Sequence, residues 1–341
     1  MTPRIIIENR IPYIKGLLEP VAQVTYLPAN EITRQSVSNA HALVVRTRTR
    51  CDAQLLQGSQ VQFIGSATIG TDHIDLDYCR QAGITVASAP GCNAPAVAQW
   101  TLASVALWLK KNHMNPAEAT LGVVGVGHVG SIVARWAEQC GMRVLRNDPP
   151  RALTEGSDGF STIEEVQQQC HIITFHTPLT REGDFPTWHL CDRHFLDNAR
   201  QCRLVLNAAR GAVTDTQALL DWNGDLALDC WENEPLIHPA LLRKAFIATP
   251  HIAGYSSQGK MRGTAMVIDA LNRHFGWSIK PQHPQAPATG AHDISLTAIV
   301  DSYNPVADTL ALKNNPERFE ALRNTYALRN EFSGSQKSPQ Q

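Results

Sequence analysis

Three polar residues, each just past a separate apolar run, carry the most chemistry in this sequence. Arg210 follows Leu204–Asn207, in Asn207-Ala208-Ala209-Arg210-Gly211. Glu234 follows Leu226–Trp231, in Trp231-Glu232-Asn233-Glu234-Pro235, and His251 follows Ile247–Thr249, in Thr249-Pro250-His251-Ile252-Ala253-Gly254. In an open α/β sheet, ligands bind outside the carboxyl ends of the strands, so three such positions can meet at one crevice. Arginine clamps a carboxylate through a planar fork that lysine cannot match. Histidine can remove a hydroxyl proton. A glutamate can hold the imidazole and stabilise its protonated form, as the acid of a hydrolase triad does. The set suits proton removal from a 2-hydroxy acid while hydride leaves the same carbon.

The strongest single motif lies upstream: Gly125-Val126-Gly127-His128-Val129-Gly130. An apolar strand precedes it, and an amphipathic helix follows, with Val129, Ile132, Val133, Trp136, Ala137 and Cys140 on one face. Gly125 permits the tight turn, Gly127 admits a pyrophosphate to the backbone, and Gly130 lets helix pack on strand. The helix start at His128 and Val129 then offers unpaired N–H groups to that anion. Asp148 stands 18 residues beyond Gly130, at the end of the next strand. A carboxylate there accepts from ribose hydroxyls and repels a 2′-phosphate, which favours NAD over NADP. Arg151, three residues on, could soften that repulsion.

With these residues in view, the chain resembles the D-isomer-specific 2-hydroxy-acid dehydrogenases, from Ile5 to about Glu331. The likeness rests on Gly70-Thr71-Asp72-His73-Ile74-Asp75, Ala89-Pro90-Gly91-Cys92-Asn93-Ala94, Asp148-Pro149-Pro150-Arg151, Phe175-His176-Thr177-Pro178-Leu179 and Pro250-His251-Ile252-Ala253-Gly254-Tyr255. It implies that Arg210 and Glu234 are active-site residues and His251 the acid/base. It places Asp148, Thr177, Ala208, Arg210, Asp229 and Gly254 around NAD, and Thr47, Thr68 and Tyr255 where the family contacts substrate. It further implies a phosphorylated 2-hydroxy acid as substrate and a homodimer. Thr47 stands where the family usually has Ser. The loop between Arg210 and Glu234 is shorter than usual near Asn223-Gly224-Asp225, which makes Glu232 a rival acid. The spacing to His251 and the following Pro235 favour Glu234. For the phosphate, Arg46 and Arg48 beside Thr47 are the cationic candidates. His73 and His176 are expected to be structural. Other dehydrogenases of the family, such as D-3-phosphoglycerate dehydrogenase, and NAD-sensing proteins like the co-repressors built on this fold remain alternatives; the complete proton-transfer set argues for catalysis.

The elements that must position these residues alternate between short apolar runs and amphipathic stretches, the pattern of α/β architecture with parallel sheets. Arg4–Ile7, Ala42–Arg46, Val61–Gly65 and Ile84–Ser88 read as strands, and Asn93–Lys111 as a long buried helix. Thr120–Gly125, Met142–Arg146, His171–Phe175, Arg203–Asn207, Leu226–Trp231 and Phe246–Thr249 read as six more strands. That number suits a Rossmann-type doubly wound sheet. A helix starts near Ser161, where Ser161-Thr162-Ile163-Glu164 reads as a capping box. After His251 the chain returns to helix over Gly259–Phe275. Lys280–Gly290 reads as a Pro-rich linker, and helices are expected near Pro305–Lys313 and Pro316–Asn330. The expected plan is an NAD-binding domain at 90–250 inserted in a flavodoxin-like substrate domain, 1–89 and 251–284. A short C-terminal dimerisation segment, 285–341, follows.

Composition sets the outer limits. The 341 residues are 43% hydrophobic and 18% charged, which excludes a disordered or coiled-coil chain. Thirty Lys and Arg balance 31 Asp and Glu, leaving no bulk basic excess for nucleic acid or an anionic membrane. The apolar stretch Ala94–Leu109 falls short of the roughly 20 residues that span a bilayer. The first ten residues lack a signal-peptide core. Eight scattered cysteines with no C-x-x-C pair point to reduced thiols in the cytoplasm. His189, Cys191 and His194 lack a ligand partner set, so no metal is expected.

Overall fold

The computed structural model describes residues 2–284 and 293–333. The chain divides into two compact units, Met1–Asn93 with Ser256–Ala286, and Ala94–Tyr255 with Pro287–Gln341. Each has its own parallel sheet. Residues 285–290 of the expected linker lie outside the described residues.

The first unit holds β1 (Arg4–Glu8), β2 (Gln23–Leu27), β3 (Ala42–Val45), β4 (Phe63–Ser66) and β5 (Thr85–Ala87). Their order is β2-β1-β3-β4-β5, all parallel, which is the flavodoxin-like winding. Side chains alternate between two cores, as a period of two requires. Ile5, Ile7, Ala42 and Val44 face one core, while Ile6, Leu43 and Val45 face the other. The helix Ser257–Phe275 covers the first of these faces with Val267, Ile268 and Leu271. It lies so close to β4 that a Cβ on Gly65 would stand 2.6 Å from Val267 Cγ1. Thus the sheet laid down first is closed by a helix that comes 170 residues later. The sequence reading left out β2, a half-exposed edge strand (QVTYL) without a continuous apolar run.

The second unit holds β6 (Thr120–Val124), β7 (Arg143–Asn147), β8 (Ile172–Phe175), β9 (Leu204–Asn207), β10 (Asp225–Leu228) and β11 (Ile247–Ala248). Their order is β11-β10-β9-β8-β6-β7, again all parallel. Helix Ala94–Lys111 is buried along most of its length and helix His128–Gln139 packs beside it. Thr162, with Glu165, forms the capping box of helix Ile163–Gln169, one residue later than the sequence reading placed it. A short helix at Pro149–Glu155, capped by Asp148, was not foreseen; its exposed side chains leave no apolar stripe to read.

Residues 294–332 belong to this second unit. Helix Leu296–Ser302 and Phe332 pack on one face of the sheet, and Leu312 and Phe319 on the other. Between them Thr309 Oγ1 accepts the Ala248 amide at 3.1 Å, satisfying the edge of β11. The last helix ends at Asn324, short of the expected Asn330, and the chain then runs without regular structure. All eight cysteines are free thiols. Among the described residues no helix is long and apolar enough to cross a membrane.

Candidate active site

At the carboxyl end of β6, Gly125 makes the turn and Gly130 the close packing that their spacing suggested. Gly125 has φ +87°, and a Cβ there would lie 2.8 Å from His176 C and Thr177 N. A Cβ on Gly130 would lie 2.0 Å from Gly125 O, so only glycine lets the helix start under the turn. Around Gly127 nothing lies within 4 Å, leaving room for a ligand. Gly127 is also the N-cap of helix His128–Gln139, with no side chain capping it. The first-turn amides therefore remain available to an anion.

Asp148 ends β7 beside this turn, its Oδ2 accepting Val126 N at 2.8 Å and its Oδ1 accepting Arg151 N at 3.2 Å. Each carboxylate oxygen keeps lone pairs for ribose hydroxyls. The Arg151 guanidinium, however, is engaged by Glu155 at 2.6 and 2.7 Å and by the Val126 carbonyl. It is committed elsewhere than to a 2′-phosphate. Thr177 Oγ1 is buried with no hydrogen-bond partner, next to Gly125. An uncapped helix, a glycine cradle, an oriented acid and an orphaned hydroxyl together fit a dinucleotide.

Arg210, Glu234 and His251 lie just past the carboxyl ends of β9, β10 and β11. Asn207 shapes the first turn, accepting Ala209 N at 3.0 Å and donating to Arg210 O at 2.9 Å. Gly211 then packs so tightly on the next loop that a Cβ would meet Trp231 O at 2.0 Å. That contact sets the Arg210 turn against the loop carrying Glu234. Glu234 Oε1 lies 2.5 Å from His251 Nδ1, and Oε2 accepts Trp231 N at 3.2 Å. The rival Glu232 turns elsewhere, bonded to His189 Nε2 at 2.7 Å and to Thr216 N. His251 itself has φ +56°, a left-handed conformation that costs a β-carbon-bearing residue free energy.

Asp229 maintains that conformation. It is 1% exposed, and its carboxylate accepts Thr249 Oγ1 at 2.6 Å, Ile252 N at 2.7 Å and Ala253 N at 3.0 Å, while its carbonyl accepts His251 N. Burial pushes its carboxyl above the ordinary value despite those donors and the nearby His251. Burial would also raise Glu234, but the His251 hydrogen bond, the His251 charge and Arg323 bring it below the usual range. Ala208 sits between Asn207 and Ala209 in the first turn, and Gly254 in the turn closed by Tyr255 N and Ile252 O. With Nδ1 held by Glu234, Nε2 is the ring nitrogen left to exchange a proton.

Two residues in this surrounding were missed from sequence. Arg329 donates to the carbonyls of Ile252, Ala253, Tyr255 and Ala96 and stacks over Tyr303. Arg323 donates to Tyr255 Oη at 3.3 Å and reaches Glu234. Both lie in a stretch that reads only as a charged helix, and no spacing rule ties them to residues some 70 positions away.

The remaining expected residues are in the first unit. Thr68 Oγ1 bonds Ser66 Oγ at 2.8 Å, and Ser66 in turn lies 3.4 Å from His73 Nε2. Desolvation pulls the His73 imidazole below its ordinary value. Thr47, Arg48, Arg50 and Asp72 border a cavity of about 480 Å³. Arg46 does not serve it: its backbone N–H and guanidinium are taken by the buried Glu8.

Residues 97–253 match the family described as D-isomer specific 2-hydroxyacid dehydrogenase, NAD binding domain. An erythronate-4-phosphate dehydrogenase from Bacteroides thetaiotaomicron is 46% identical over 338 residues, covering 96% of this chain and 97% of the relative. Among solved structures, the TT0316 protein from Thermus thermophilus aligns with a TM-score of 0.65 at 25% identity, over 82% of this chain and 99% of its own. An NAD-bound 3-phosphoglycerate dehydrogenase from Entamoeba histolytica aligns at 0.67 and 22%, over 84% and 99%. Fold and site together define an NAD-dependent dehydrogenase with two parallel-sheet units. The chain belongs to the D-isomer-specific 2-hydroxyacid dehydrogenase family.

Proposed function

We propose that this dehydrogenase oxidises 4-phospho-D-erythronate to 2-oxo-3-hydroxy-4-phosphobutanoate, a step toward pyridoxal 5′-phosphate, vitamin B6. The observation that carries the reading is near-full-length identity of 39–46% to relatives bearing the erythronate-4-phosphate dehydrogenase name. The arrangement of Arg210, Glu234 and His251 supports it chemically.

In this reading Arg210 holds the substrate carboxylate by a charge-assisted fork. His251 Nε2 takes the C2 hydroxyl proton, and the Glu234 carboxylate at 2.5 Å from Nδ1 stabilises the imidazolium that results. NAD held at the Gly125–Gly130 turn would supply the acceptor for the C2 hydride. Gly125, Gly127, His128, Val129, Gly130, Asp148, Thr177, Ala208, Arg210, Asp229 and Gly254 would surround a bound dinucleotide. Asp229 contributes chiefly by fixing the His251 backbone. Thr47, Thr68 and Tyr255 contact substrate. Residues 1–89 and 251–284 form the substrate-binding domain, 90–250 the NAD-binding domain and 285–341 a dimerisation segment of a cytoplasmic homodimer.

The test is turnover. Purified protein with NAD should form NADH faster from 4-phospho-D-erythronate than from 3-phosphoglycerate, D-lactate or D-glycerate. A flat trace with phosphoerythronate beside a clear one with phosphoglycerate sinks the assignment. NAD binding without turnover on any of the four supports a sensor instead. Sedimentation reads the dimer.

A further inference from the structure

The C-terminal residues of the second unit reach the proton-transfer couple directly. Arg329 gathers four backbone carbonyls, three of them in the loop that carries His251, and so anchors this stretch against it. Thus anchored, Arg323 places Nη1 3.9 Å from Glu234 Oε1, the same oxygen that meets His251 Nδ1. At 3.9 Å the contact is Coulombic rather than a hydrogen bond. The Arg323 side chain is 14% exposed, so water screens the charge poorly. Its Nε is fixed by Tyr255 Oη, and Glu320, one turn before it, lies 4.0 Å from Nη1.

One carboxylate therefore stands between two groups that compete for its charge. When His251 is protonated, both neighbours are cations, and the guanidinium disfavours the proton on the imidazole. The other charged and titratable groups facing this couple are Asp229 behind His251, the Cys230 thiol, Arg210, Tyr255 and Glu320.

We propose that Arg323 is a positioning residue for proton transfer, acting through Glu234 to weaken the hold of the Glu234–His251 couple on its proton. The proposal rests on the acid/base role given to His251 above. The test is the pH profile of kcat with NAD and 4-phospho-D-erythronate for the full-length wild type, Arg323→Gln, Arg323→Lys and Glu320→Gln. Oxidation needs the couple unprotonated, so removing the cation moves the acid limb to higher pH, by roughly one unit. Lys at position 323 restores the limb to near its original place. Glu320→Gln frees Arg323 from a competing acid and moves the limb the opposite way, toward lower pH. The KM for NAD stays unchanged throughout.

Acid limbs that coincide in the Arg323→Gln and wild-type enzymes overturn the proposal. If Arg323→Gln fails to fold, an unmoved limb in Glu320→Gln does so. A second readout separates this idea from the functional reading. The His251 ring signal, followed by nitrogen NMR in substrate-free protein, titrates at higher pH in Arg323→Gln than in wild type whether or not the enzyme turns over. Loss of turnover in wild type with that shift present rejects the assigned substrate but keeps Arg323. Turnover with no shift in either readout rejects Arg323 alone.

Discussion

The two sheets share a winding, β2-β1-β3-β4-β5 in one and β7-β6-β8-β9-β10 in the other, yet treat the crevice it creates in opposite ways. In each, the strand order reverses beside the first strand, and the carboxyl ends there form a natural binding crevice. In the first unit that place, between β1 and β3, is filled from within. Glu8 at the end of β1 is 1% exposed and receives the backbone N–H and guanidinium of Arg46, just past β3. In the second unit the equivalent place, between β6 and β8, carries glycines, an uncapped helix and the partnerless Thr177 hydroxyl. Topology supplies the crevice; the side chains at its mouth decide whether it holds a ligand or holds the fold together.

The largest effect expected from this contrast is at the ends of the second sheet. His251→Ala should lower turnover about 1,000-fold while NAD still binds, by initial rates and calorimetry. Near-normal turnover would remove the acid/base role. In the first unit, Glu8→Gln should cost about 3 kcal/mol in urea unfolding, because it leaves a largely buried guanidinium without its charge partner. NAD affinity should not change; if it falls in parallel, the two crevices are not independent in the way described.

A matched glycine pair sharpens the point. Gly16 and Gly125 have φ of +86° and +87°, but nothing lies within 4 Å of a Cβ on the first. Gly16→Ala should cost about 1 kcal/mol of stability, the backbone term alone. Gly125→Ala adds the collision with His176 and Thr177 and should weaken NAD at least tenfold. Equal NAD affinities in the two variants would count against the cradle.

A further expected effect is a matter of pH. Desolvation pulls the His176 imidazole down to about 3. The unfolded chain takes up that proton near 6.5, so stability is full above pH 6.5 and falls as the pH drops toward 3. His176→Gln should flatten part of that slope between pH 7 and 5 in urea midpoints. An unchanged slope would mean that other groups carry it.

Much of this was legible in the sequence, for identifiable reasons. Strands such as Ile172–Phe175 and Leu204–Asn207 are buried on both faces and so read as unbroken apolar runs, which fixed their place to within a residue or two. The glycine turn was legible because each glycine answers a separate steric demand. Edge and surface elements were not: β2 alternates and is half exposed, and helix Pro149–Glu155 buries none of its residues. Within the site, Glu234 and His251 could be paired by spacing. Arg323 and Arg329 could not, because their partners are backbone carbonyls and a tyrosine hydroxyl brought near only by the path of residues 294–332 across the sheet.

The late helix over the first sheet bears on how the protein is made. Val267, Ile268 and Leu271 close the face built by Ile5, Ile7, Ala42 and Val44, yet they follow β5 only after the whole first stretch of the second unit, Ala94–Tyr255. At 5–20 residues per second, a ribosome needs roughly ten to thirty seconds to cover that interval. Throughout it the nascent first sheet stands with one apolar face uncovered, a natural client for a chaperone. A chain halted at residue 255 should therefore be cut by protease within its first 93 residues, where the finished chain resists.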